Sequence, residues 1–390
     1  MRLYLIAGEA SGDLHGANLL KALHAQQPDL SCRAWGGDLM QNAGATLVKH
    51  YRELAFMGFV EVAKNLRTIL QNIAFCKRDI LDFRPDVLVL IDYPGFNLRV
   101  ARWAKEQGIR VVYYISPQLW AWHASRAHAI RRDVDKLLVI LPFEQDFFRK
   151  YGIEAEFVGH PLLDEFACLP VGKGMQNSEL GNSAFPALPA GRRIPNSTFP
   201  NQVALLPGSR KQEVGRILPR MLEVVADFPD CQFVVAGAAS LPEAFYQSYL
   251  EKYPKVRLVR GQTYEVLRHS KAALVKSGTS TLEAALLGVP QVVCYAGNWL
   301  SYHIAKRLVK VPYISLVNLI MDRPMVRELI QDELNRENLR AALTEILAPE
   351  KSDALREGYA ELRKRLGDGG ASARAARAIL DFLPDRAFGS

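Results

Sequence analysis

The chain has 390 residues, more than one hydrophobic core usually serves, so its length favours two domains. With 49% hydrophobic and 23% charged residues it has the composition of a folded globular protein, which excludes a disordered chain and an integral membrane protein. The formal net charge of +8 suits an anionic partner such as a phosphorylated substrate, an anionic lipid surface or a nucleic acid.

The first apolar run, Leu3–Ala7, is too short for a signal peptide or a membrane span, so we expect a cytoplasmic protein. Its five cysteines are widely spread and form no Cys-x-x-Cys pair, which indicates reduced thiols rather than a disulfide framework or a zinc site. No Asp-x-Asp pair or His/Cys cluster has the spacing of metal ligands. We therefore expect a protein that uses neither a metal nor a cofactor.

The first part of the chain alternates short aliphatic runs with longer amphipathic stretches, the pattern of a parallel sheet covered by helices. The predicted strand and helix pairs are Leu3–Ala7 with Leu14–Gln27, Val87–Ile91 with Phe96–Gln107, and Val111–Ile115 with Ala124–Arg132. From about Val171 to Pro200 this periodicity gives way to Gly, Pro, Ser and Asn, which indicates a linker or an insertion.

After the linker the alternation resumes and predicts a second doubly wound domain. Its predicted strands are Val203–Leu206, Phe233–Ala236, Val256–Val259, Ala272–Val275 and Gln291–Cys294. Helical periodicity after Glu337 predicts closing helices, one of which can cross back to the first domain. We therefore predict an N-terminal domain over 1–168, a linker over 169–201, a C-terminal domain over 202–368 and a crossing helix over 370–385.

Ligands of open α/β sheets bind beyond the carboxyl ends of the strands, so the loops after the strands are the first places to look. The loop Gly8–His15 follows the first strand, and its glycines permit close approach to the backbone. It matches neither the dinucleotide fingerprint nor the phosphate-binding loop of ATPases. Helix capping by Ser11 or Asp13 explains it about as well as substrate binding. The candidate acceptor-binding residues in it are Glu9, Ser11, Asp13 and His15.

The next loop of interest, Asp92–Asn97, follows the continuously apolar strand Val87–Ile91. It places the carboxylate of Asp92 at a strand's carboxyl end, several residues before the predicted helix. Capping of that helix is the alternative, but the separation of Asp92 from the start of the predicted helix favours a functional role. We therefore predict that Asp92 is a catalytic residue.

Two loops of the second domain have the residues of a diphosphate site. Gly208 and Ser209 offer backbone N–H groups after the first strand, and Arg210 adds a guanidinium fork. The later loop holds small and hydroxylated residues before a helix, and Glu283 lies one turn inside it, where it can accept hydrogen bonds from both ribose hydroxyls. Helix capping explains part of this pattern but not its occurrence twice. The residues of the later loop are Ser277, Gly278 and Thr279.

The segment between Leu54 and Arg78 is a candidate membrane face. An apolar stripe that includes Ile69 and Ile73 is typical of an ordinary core-facing helix. Additional apolar residues and flanking cations are instead what an interfacial helix needs. The residues predicted to face the membrane are Phe56, Phe59, Val60, Lys64, Arg67 and Leu70.

Six stretches in this order over nearly the whole chain resemble the lipid-A-disaccharide synthase family. A chance match to one of them is easy, but a match to all is not. They are Ala7–Asp13, Glu53–Val62, Trp120–Trp122, Leu206–Arg210, Ser277–Thr279 with Glu283, and Ala305–Lys310. The chain departs from the family's pattern at Tyr93, Gly95, Lys276, Ser280 and in the linker.

The resemblance implies a GT-B fold, no metal, and an inverting transfer of 2,3-diacylglucosamine from its UDP conjugate to 2,3-diacylglucosamine 1-phosphate. By the same resemblance Asp92 is the general base, Arg210 lies near the donor diphosphate and Asn318 binds the donor. The expected partners are these two sugars and the anionic surface of the inner membrane, with which the protein associates peripherally. A homodimer is left open.

Other readings of the same residues remain. A different GT-B enzyme acting on UDP-N-acetylglucosamine, such as the peptidoglycan glycosyltransferase or a 2-epimerase, would share the fold and the nucleotide site. A non-catalytic lipid-binding or nucleotide-binding protein is a further alternative, which UDP release from donor and acceptor would eliminate. Nucleic acid is not an expected partner because the basic residues are dispersed and no reader motif occurs.

Overall fold

The structure is a computed structural model that describes residues 1–53, 66–122, 124–167, 201–297 and 311–383. Within these ranges the chain forms two compact α/β units, the first of which also takes in the C-terminal residues from Leu366 onward. None of the helices in the described ranges is long and apolar enough to span a membrane. The predicted linker lies almost entirely outside the described residues.

The first unit contains a seven-stranded parallel sheet with the order β3-β2-β1-β4-β5-β6-β7. Its strands are β1 (Arg2–Ala7), β2 (Ser31–Gly36), β3 (Thr46–His50), β4 (Val87–Ile91), β5 (Val111–Tyr114), β6 (Lys136–Val139) and β7 (Ala155–Phe157). Its helices are α1 (Ala10–Gln26), α2 (Asp38–Asn42), α3 (Leu66–Phe83), α4 (Pro94–Glu106), α5 (Leu119–Trp122), α6 (Ala127–Asp133), α7 (Glu144–Arg149) and α8 (Leu162–Ala167), with short 3-10 turns at Tyr51–Glu53 and Ala124–Arg126.

Strand β1 shows why this sheet is covered on both faces. Leu3 and Leu5 enter one hydrophobic core, whereas Tyr4 and Ile6 enter the other. Successive side chains of a strand point to opposite faces, so a strand that is apolar at every position needs a layer of helices on each side. The continuous aliphatic runs of the sequence therefore become the central strands.

The last helix of the chain packs on the first unit. Ala375 and Ile379 share a core with Leu19 and Leu23 of α1. The carboxylate of Asp164 accepts hydrogen bonds from the first backbone N–H groups of this helix, at 2.5–3.0 Å. The C-terminal helix therefore crosses back to the N-terminal domain.

The second unit contains a six-stranded sheet with the order β10-β9-β8-β11-β12-β13. Its strands are β8 (Gln202–Leu206), β9 (Gln232–Gly237), β10 (Arg257–Arg260), β11 (Ala272–Lys276), β12 (Gln291–Tyr295) and β13 (Arg327–Ile330). The helices from here to the chain end are α9 (Lys211–Leu222), α10 (Glu243–Leu250), α11 (Thr263–Arg268), α12 (Thr279–Leu286), α13 (Leu316–Met321), α14 (Arg336–Leu347), α15 (Pro349–Leu366) and the crossing helix α16 (Ala371–Phe382), with 3-10 turns at Val225–Asp227 and Gln331–Glu333.

Both sheets are entirely parallel and share the order 3-2-1-4-5-6 in their first six strands, the doubly wound Rossmann order. The prediction of two Rossmann-like domains is confirmed. The predicted strands lie within one residue of the observed ones at each end. The helix starts were less accurate, because α1 begins at Ala10 rather than Leu14 and α4 at Pro94 rather than Phe96.

Candidate active site

The carboxyl ends of β1 and β4 mark the point where the strand order of the first sheet reverses. Ala7 pairs with Ile91 there, so the loops after these two strands leave the sheet side by side. A Cβ on Gly8 would lie 2.3 Å from Cγ of Tyr93, so only glycine fits beneath that ring. Ligands of open α/β sheets bind at such a reversal point. These two loops form the candidate site of the first unit.

Asp92 and Tyr93 both have left-handed backbone conformations, with φ of 44° and 50°. Such conformations are strained for residues other than glycine and persist only where the surroundings impose them. The amide of Asn97 and the hydroxyl of Tyr113 both donate to the carbonyl oxygen of Asp92, at 2.7 and 2.6 Å. The Asp92 N–H donates to the carbonyl oxygen of Ile115 at 3.2 Å. These bonds fix the backbone that carries the Asp92 carboxylate.

The electrostatics of Asp92 suit a base. The residue as a whole is exposed at the sheet edge. Desolvation of its carboxylate by surrounding groups, together with the charge of Glu9, raises its pKa to about 6, although a hydrogen bond from the Tyr93 N–H opposes the change. Such a carboxylate is mostly ionised at neutral pH and more basic than an ordinary aspartate. A general base works best when its pKa approaches the working pH.

Asp13 has a structural role in this arrangement. Its carboxylate is buried and accepts hydrogen bonds from the backbone N–H groups of Gly37, Leu39 and Met40 at 2.7–3.2 Å. These are the groups that a helix N-terminus leaves without intrahelical partners, here that of α2. Asp13 therefore caps a different helix from the predicted one, and its geometry argues against the predicted acceptor binding.

The other three predicted residues of this loop separate. Ser11 is exposed in the first turn of α1, and Glu9 precedes that helix, close enough to Asp92 to influence its pKa. His15 lies toward α8, with Nδ1 4.0 Å from Oε1 of Glu165. Burial lowers the pKa of His15 to about 4, so its imidazole is neutral at neutral pH. Of the four candidates, Glu9 is the one whose charge acts on Asp92.

The loops after β8 and β11 occupy the corresponding reversal point of the second sheet. Leu206 pairs with Val275, so the two predicted donor loops leave the sheet at the same edge. Each loop leads directly into a helix, α9 or α12. Helix N-termini carry unpaired N–H groups and a positive dipole end, which favour phosphate. The prediction that these loops lie together therefore agrees with the strand register.

Glu213 organises the first donor loop. Gly208 has φ of 112°, and a Cβ there would lie 2.7 Å from Oε2 of Glu213. The Ser209 N–H donates to the same oxygen at 3.3 Å, and Nη1 of Arg210 lies 3.7 Å from Oε1. Arg210 is exposed and forms the N-cap position of α9. The loop thus presents a guanidinium at a helix start.

The second donor loop is anchored by its hydroxyl groups. Ser277 Oγ donates to the carbonyl oxygen of Ile314 at 2.8 Å, and Thr281 Oγ1 donates to that of Gly278 at 2.8 Å. Thr279 is the first residue of α12. Ser277 therefore joins this loop to the segment before α13.

Asn318 supports that same segment from behind. The residue is buried, its amide nitrogen donates to the carbonyl oxygen of Val326 and to Glu328, and its oxygen accepts from the Val326 N–H, at 2.8–3.0 Å. The Glu328 carboxylate also accepts from the N–H groups of Ile314 and Ser315 at 3.0 and 2.9 Å. Asn318 is thus occupied by its own domain, which argues against the predicted direct contact with the donor.

Glu283 lies inside α12, where the sequence predicts a ribose acceptor. The Tyr264 hydroxyl donates to its Oε1 at 3.2 Å. Burial raises the pKa of Glu283, while hydrogen bonds from Ser280 and Tyr264 act against the change. The carboxylate is therefore held in place by its hydrogen bond from Tyr264.

A buried carboxyl group supports the third loop of the first unit. Glu144 accepts hydrogen bonds from Ser116 Oγ at 2.6 Å and Trp120 Nε1 at 3.3 Å, and from the N–H groups of Ile140 and Leu141. Burial raises its pKa to about 7 despite these bonds. Glu144 thus ties the loop after β5 to the loop after β6.

Helix α3 divides its apolar residues between two faces. Ile73 is buried and Ile69 packs against the same core, as in an ordinary core-facing helix. On the other side Leu70, Phe75 and Leu81 are 55%, 43% and 46% exposed. The predicted residues Arg67 and Leu70 are both exposed. Phe56, Phe59, Val60 and Lys64 lie outside the described residues.

The residues that hold the site in shape were not predicted from the sequence. Asn97 stands in a motif that was singled out, and Glu213 follows Arg210 by three positions, so both had a local signal. The other three act on partners distant in sequence and had none. The five are Asn97, Tyr113, Glu213, Tyr264 and Glu328. In the described part of the chain no group of three His, Cys, Asp or Glu residues is placed to hold a metal ion.

Known proteins resemble this chain in sequence over nearly its whole length. Residues 3–381 match the family model for lipid-A-disaccharide synthetase. The lipid-A-disaccharide synthase of Geobacter metallireducens is 40% identical over 98% of this chain and 97% of its own, and that of Syntrophus aciditrophicus is 41% identical over 97% of both.

Solved structures resemble the fold at low identity. A UDP-GlcNAc 2-epimerase from Neisseria meningitidis has a TM-score of 0.65 at 14% identity, covering 98% of this chain and all of its own. The glycotransferase of kitacinnamycin has a TM-score of 0.63 at 16% identity, covering 98% and 99%. These two show the GT-B fold, and the sequence relatives show the enzyme family. The chain therefore belongs to the lipid-A-disaccharide synthase family of GT-B glycosyltransferases.

Proposed function

We propose that this chain transfers 2,3-diacylglucosamine from its UDP conjugate to 2,3-diacylglucosamine 1-phosphate by direct displacement, with Asp92 as general base. Membership of a family of glycosyltransferases supports the reaction class. Asp92 is the residue on which the assignment depends. It combines the reversal point of a sheet, a strained and braced backbone and a pKa near 6, features that gather at functional sites.

In the proposed step Asp92 accepts the proton of the acceptor's attacking hydroxyl. The hydroxyl oxygen forms a bond to the anomeric carbon as the bond from that carbon to the diphosphate oxygen breaks. The leaving electron pair moves to UDP, and the configuration at the anomeric carbon inverts. A sugar hydroxyl is a weak nucleophile, so a positioned base lowers the barrier. UDP needs no acid if its developing charge is already stabilised.

The second domain is proposed to bind the donor. The N–H group of Gly208 and the guanidinium of Arg210 bind diphosphate oxygens, and Ser209 lies between them with its N–H donated to Glu213. The loop Ser277–Thr279 contributes at the neighbouring helix start. Glu283 accepts hydrogen bonds from the ribose hydroxyls. The closeness of both loops at one sheet edge supports this assignment. The proposed reaction uses no metal ion, so excess chelator is expected to leave the rate of transfer unaltered.

Mass spectrometry of the products tests the reaction. Wild-type protein is incubated with the two acylated glucosamine substrates, and in parallel with UDP-N-acetylglucosamine alone. The proposal predicts the lipid A disaccharide 1-phosphate together with UDP in the first mixture and an unchanged sugar nucleotide in the second. Epimerised sugar nucleotide, or no disaccharide from the acylated pair, would contradict it.

Peripheral binding to the inner membrane is proposed for the exposed face of α3. Leu70, Phe75 and Leu81 provide apolar side chains, and Arg67 and Arg78 are exposed beside them. Apolar burial and attraction to anionic lipid together bind an interfacial helix, each cation near the surface contributing about 1 kcal/mol.

Co-sedimentation with vesicles containing anionic lipid tests the membrane proposal. Replacing Leu70, Phe75 and Leu81 together by serine is expected to reduce the bound fraction without unfolding the protein. Leu39→Ser provides the matched control, because Leu39 is 45% exposed on α2, outside this face. If the wild type and the triple variant co-sediment with the vesicles to the same extent, these three residues do not contribute to membrane attachment.

A further inference from the structure

Lys276 is the cation of the donor loops to which no role has been given. It is the last residue of β11, directly before the loop Ser277–Thr279. Its Nζ lies 3.7 Å from the position that a Cβ on Gly278 would occupy, so the ammonium stands over the backbone of that loop. The lysine thus lies where the second donor loop meets the first.

The ammonium reaches the first donor loop through Glu213. Its Nζ lies 3.0 Å from Oε1 of Glu213, and the same carboxylate approaches Arg210 at 3.7 Å and accepts the Ser209 N–H at 3.3 Å. Both side chains are mostly buried, with 24% exposure for Lys276 and 20% for Glu213. Lys276 therefore belongs to one cluster with the groups proposed to bind diphosphate.

The ion pairs of this cluster keep its carboxylate charged. Nζ of Lys276 lies 3.0 Å and Nη1 of Arg210 lies 3.7 Å from Oε1 of Glu213, between the starts of two helices. Burial alone would raise the pKa of Glu213, but the charge and hydrogen bond of Lys276, with the charge of Arg210, hold it below its usual value, so the carboxylate stays ionised. An ammonium has three N–H donors, and in the described residues Glu213 is its one ion-pair partner.

We infer that Lys276 is a further diphosphate-binding residue of the donor site, held over the second loop by Glu213. The inference rests on the proposed donor site in this domain. The ammonium keeps its bond to Glu213 and directs its other donors to a phosphate oxygen of UDP. A lysine serves here as a compact point charge beside the fork of Arg210. The site thereby counters the diphosphate charge from both loops.

Calorimetry with UDP and uridine tests the role of Lys276. Lys276→Met is expected to weaken UDP binding by about tenfold or more, the loss typical of a charge-assisted hydrogen bond, and to leave uridine binding unchanged. Lys276→Arg is expected to retain most of the UDP affinity. The matched control is Lys271→Met, which removes a lysine just before the opposite end of the same strand, where Nζ bonds to Oδ1 of Asn201. Its UDP affinity should equal that of the wild type.

The alternative is that Lys276 only neutralises Glu213. In that case Lys276→Met changes the melting temperature but leaves UDP affinity within about twofold of the wild type, which would overturn the inference while the donor site stands. If wild-type protein binds no UDP, the proposed donor site itself fails. Lys276→Gln can still hydrogen-bond Glu213 and serves if the methionine variant does not fold. Its UDP affinity must fall by about tenfold as well.

Discussion

The two reversal points of this molecule are built on the same strand order and differ in charge. The first presents the carboxylates of Glu9 and Asp92, whereas the second gathers Arg210 and Lys276 around one glutamate. The first also relies on strained non-glycine backbone, and the second uses glycine where φ is positive. Strand order therefore fixes where a site forms, and the loop residues decide whether it suits a base or a phosphate.

The largest effect is expected at the anionic reversal point. Asp92→Asn keeps the size of the side chain but removes the base, so turnover should fall about 10²–10⁴-fold. Initial rates of UDP release measure it. Glu9→Gln, next to Asp92, is the comparison variant and should keep substantial activity. A fully active Asp92→Asn enzyme beside an inactive Glu9→Gln enzyme would move the base to the loop after β1.

The pH dependence of kcat/KM tests the effect of the Glu9 charge on the pKa of Asp92. Because the reaction needs ionised Asp92, kcat/KM should rise about tenfold per pH unit below pH 6 and level off above it. The charge of Glu9 contributes to the raised pKa of Asp92, so Glu9→Gln should move the midpoint to lower pH. A profile that is flat from pH 5 to 7, or a midpoint that does not move, would contradict this coupling.

A smaller loss is expected when the brace behind Asp92 is removed. Tyr113→Phe deletes one of the hydrogen bonds to the Asp92 carbonyl oxygen and leaves that from Asn97, so turnover should fall by about tenfold or less. UDP affinity should not change. Tyr114→Phe is the matched control on the same strand. Equal turnover in both variants would show that the strained conformation holds without Tyr113.

Glu144 should affect stability more than turnover. Its folded-state pKa of about 7 exceeds the ordinary value of 4.5, so wild-type protein loses stability as pH rises between these values. Glu144→Gln does not show that loss, because glutamine has no carboxyl group to ionise. From pH 5.5 to 8 the free energy of unfolding of the variant should gain roughly 2 kcal/mol relative to wild type. Urea unfolding at both pH values measures this change, and Glu106→Gln, at an exposed position, is the control. If the difference in free energy of unfolding between Glu144→Gln and wild type is the same at both pH values, the pKa of Glu144 is not raised by burial.

The strands predicted from the sequence match the observed ones well, because continuous aliphatic runs suit burial on both faces of a parallel sheet. Strands β2, β3, β6, β7 and β13 were not predicted. The start of α1 is predicted poorly. Gly12 looks like a loop residue, yet a Cβ there would lie 3.0 Å from that of Ala7, so glycine lets the first turn of the helix pack on β1. Tertiary packing outweighs helix propensity at this position.

The sequence predicts a residue of the candidate site only where that residue stands in a recognisable loop after a strand. Asp92 directly follows β4 and Arg210 stands in the loop after β8, so both are visible in the sequence. Tyr113 is not, because its bond to Asp92 depends on strand pairing and on a left-handed backbone that no pattern indicates. Asp13 shows the opposite case, because its buried carboxylate caps α2, a helix that follows a different strand, and no local pattern indicates that contact.

The division of labour between the two reversal points is tested most directly by UDP affinity, measured by calorimetry on wild-type, Asp92→Asn and Arg210→Ala proteins. Removing the base should leave UDP affinity at the wild-type value, because Asp92 acts on the acceptor. Removing the guanidinium should weaken UDP binding by about tenfold or more, because a charge-assisted bond to diphosphate is lost. Weakened binding in Asp92→Asn with unchanged binding in Arg210→Ala would contradict the assignment of base and donor site to separate domains.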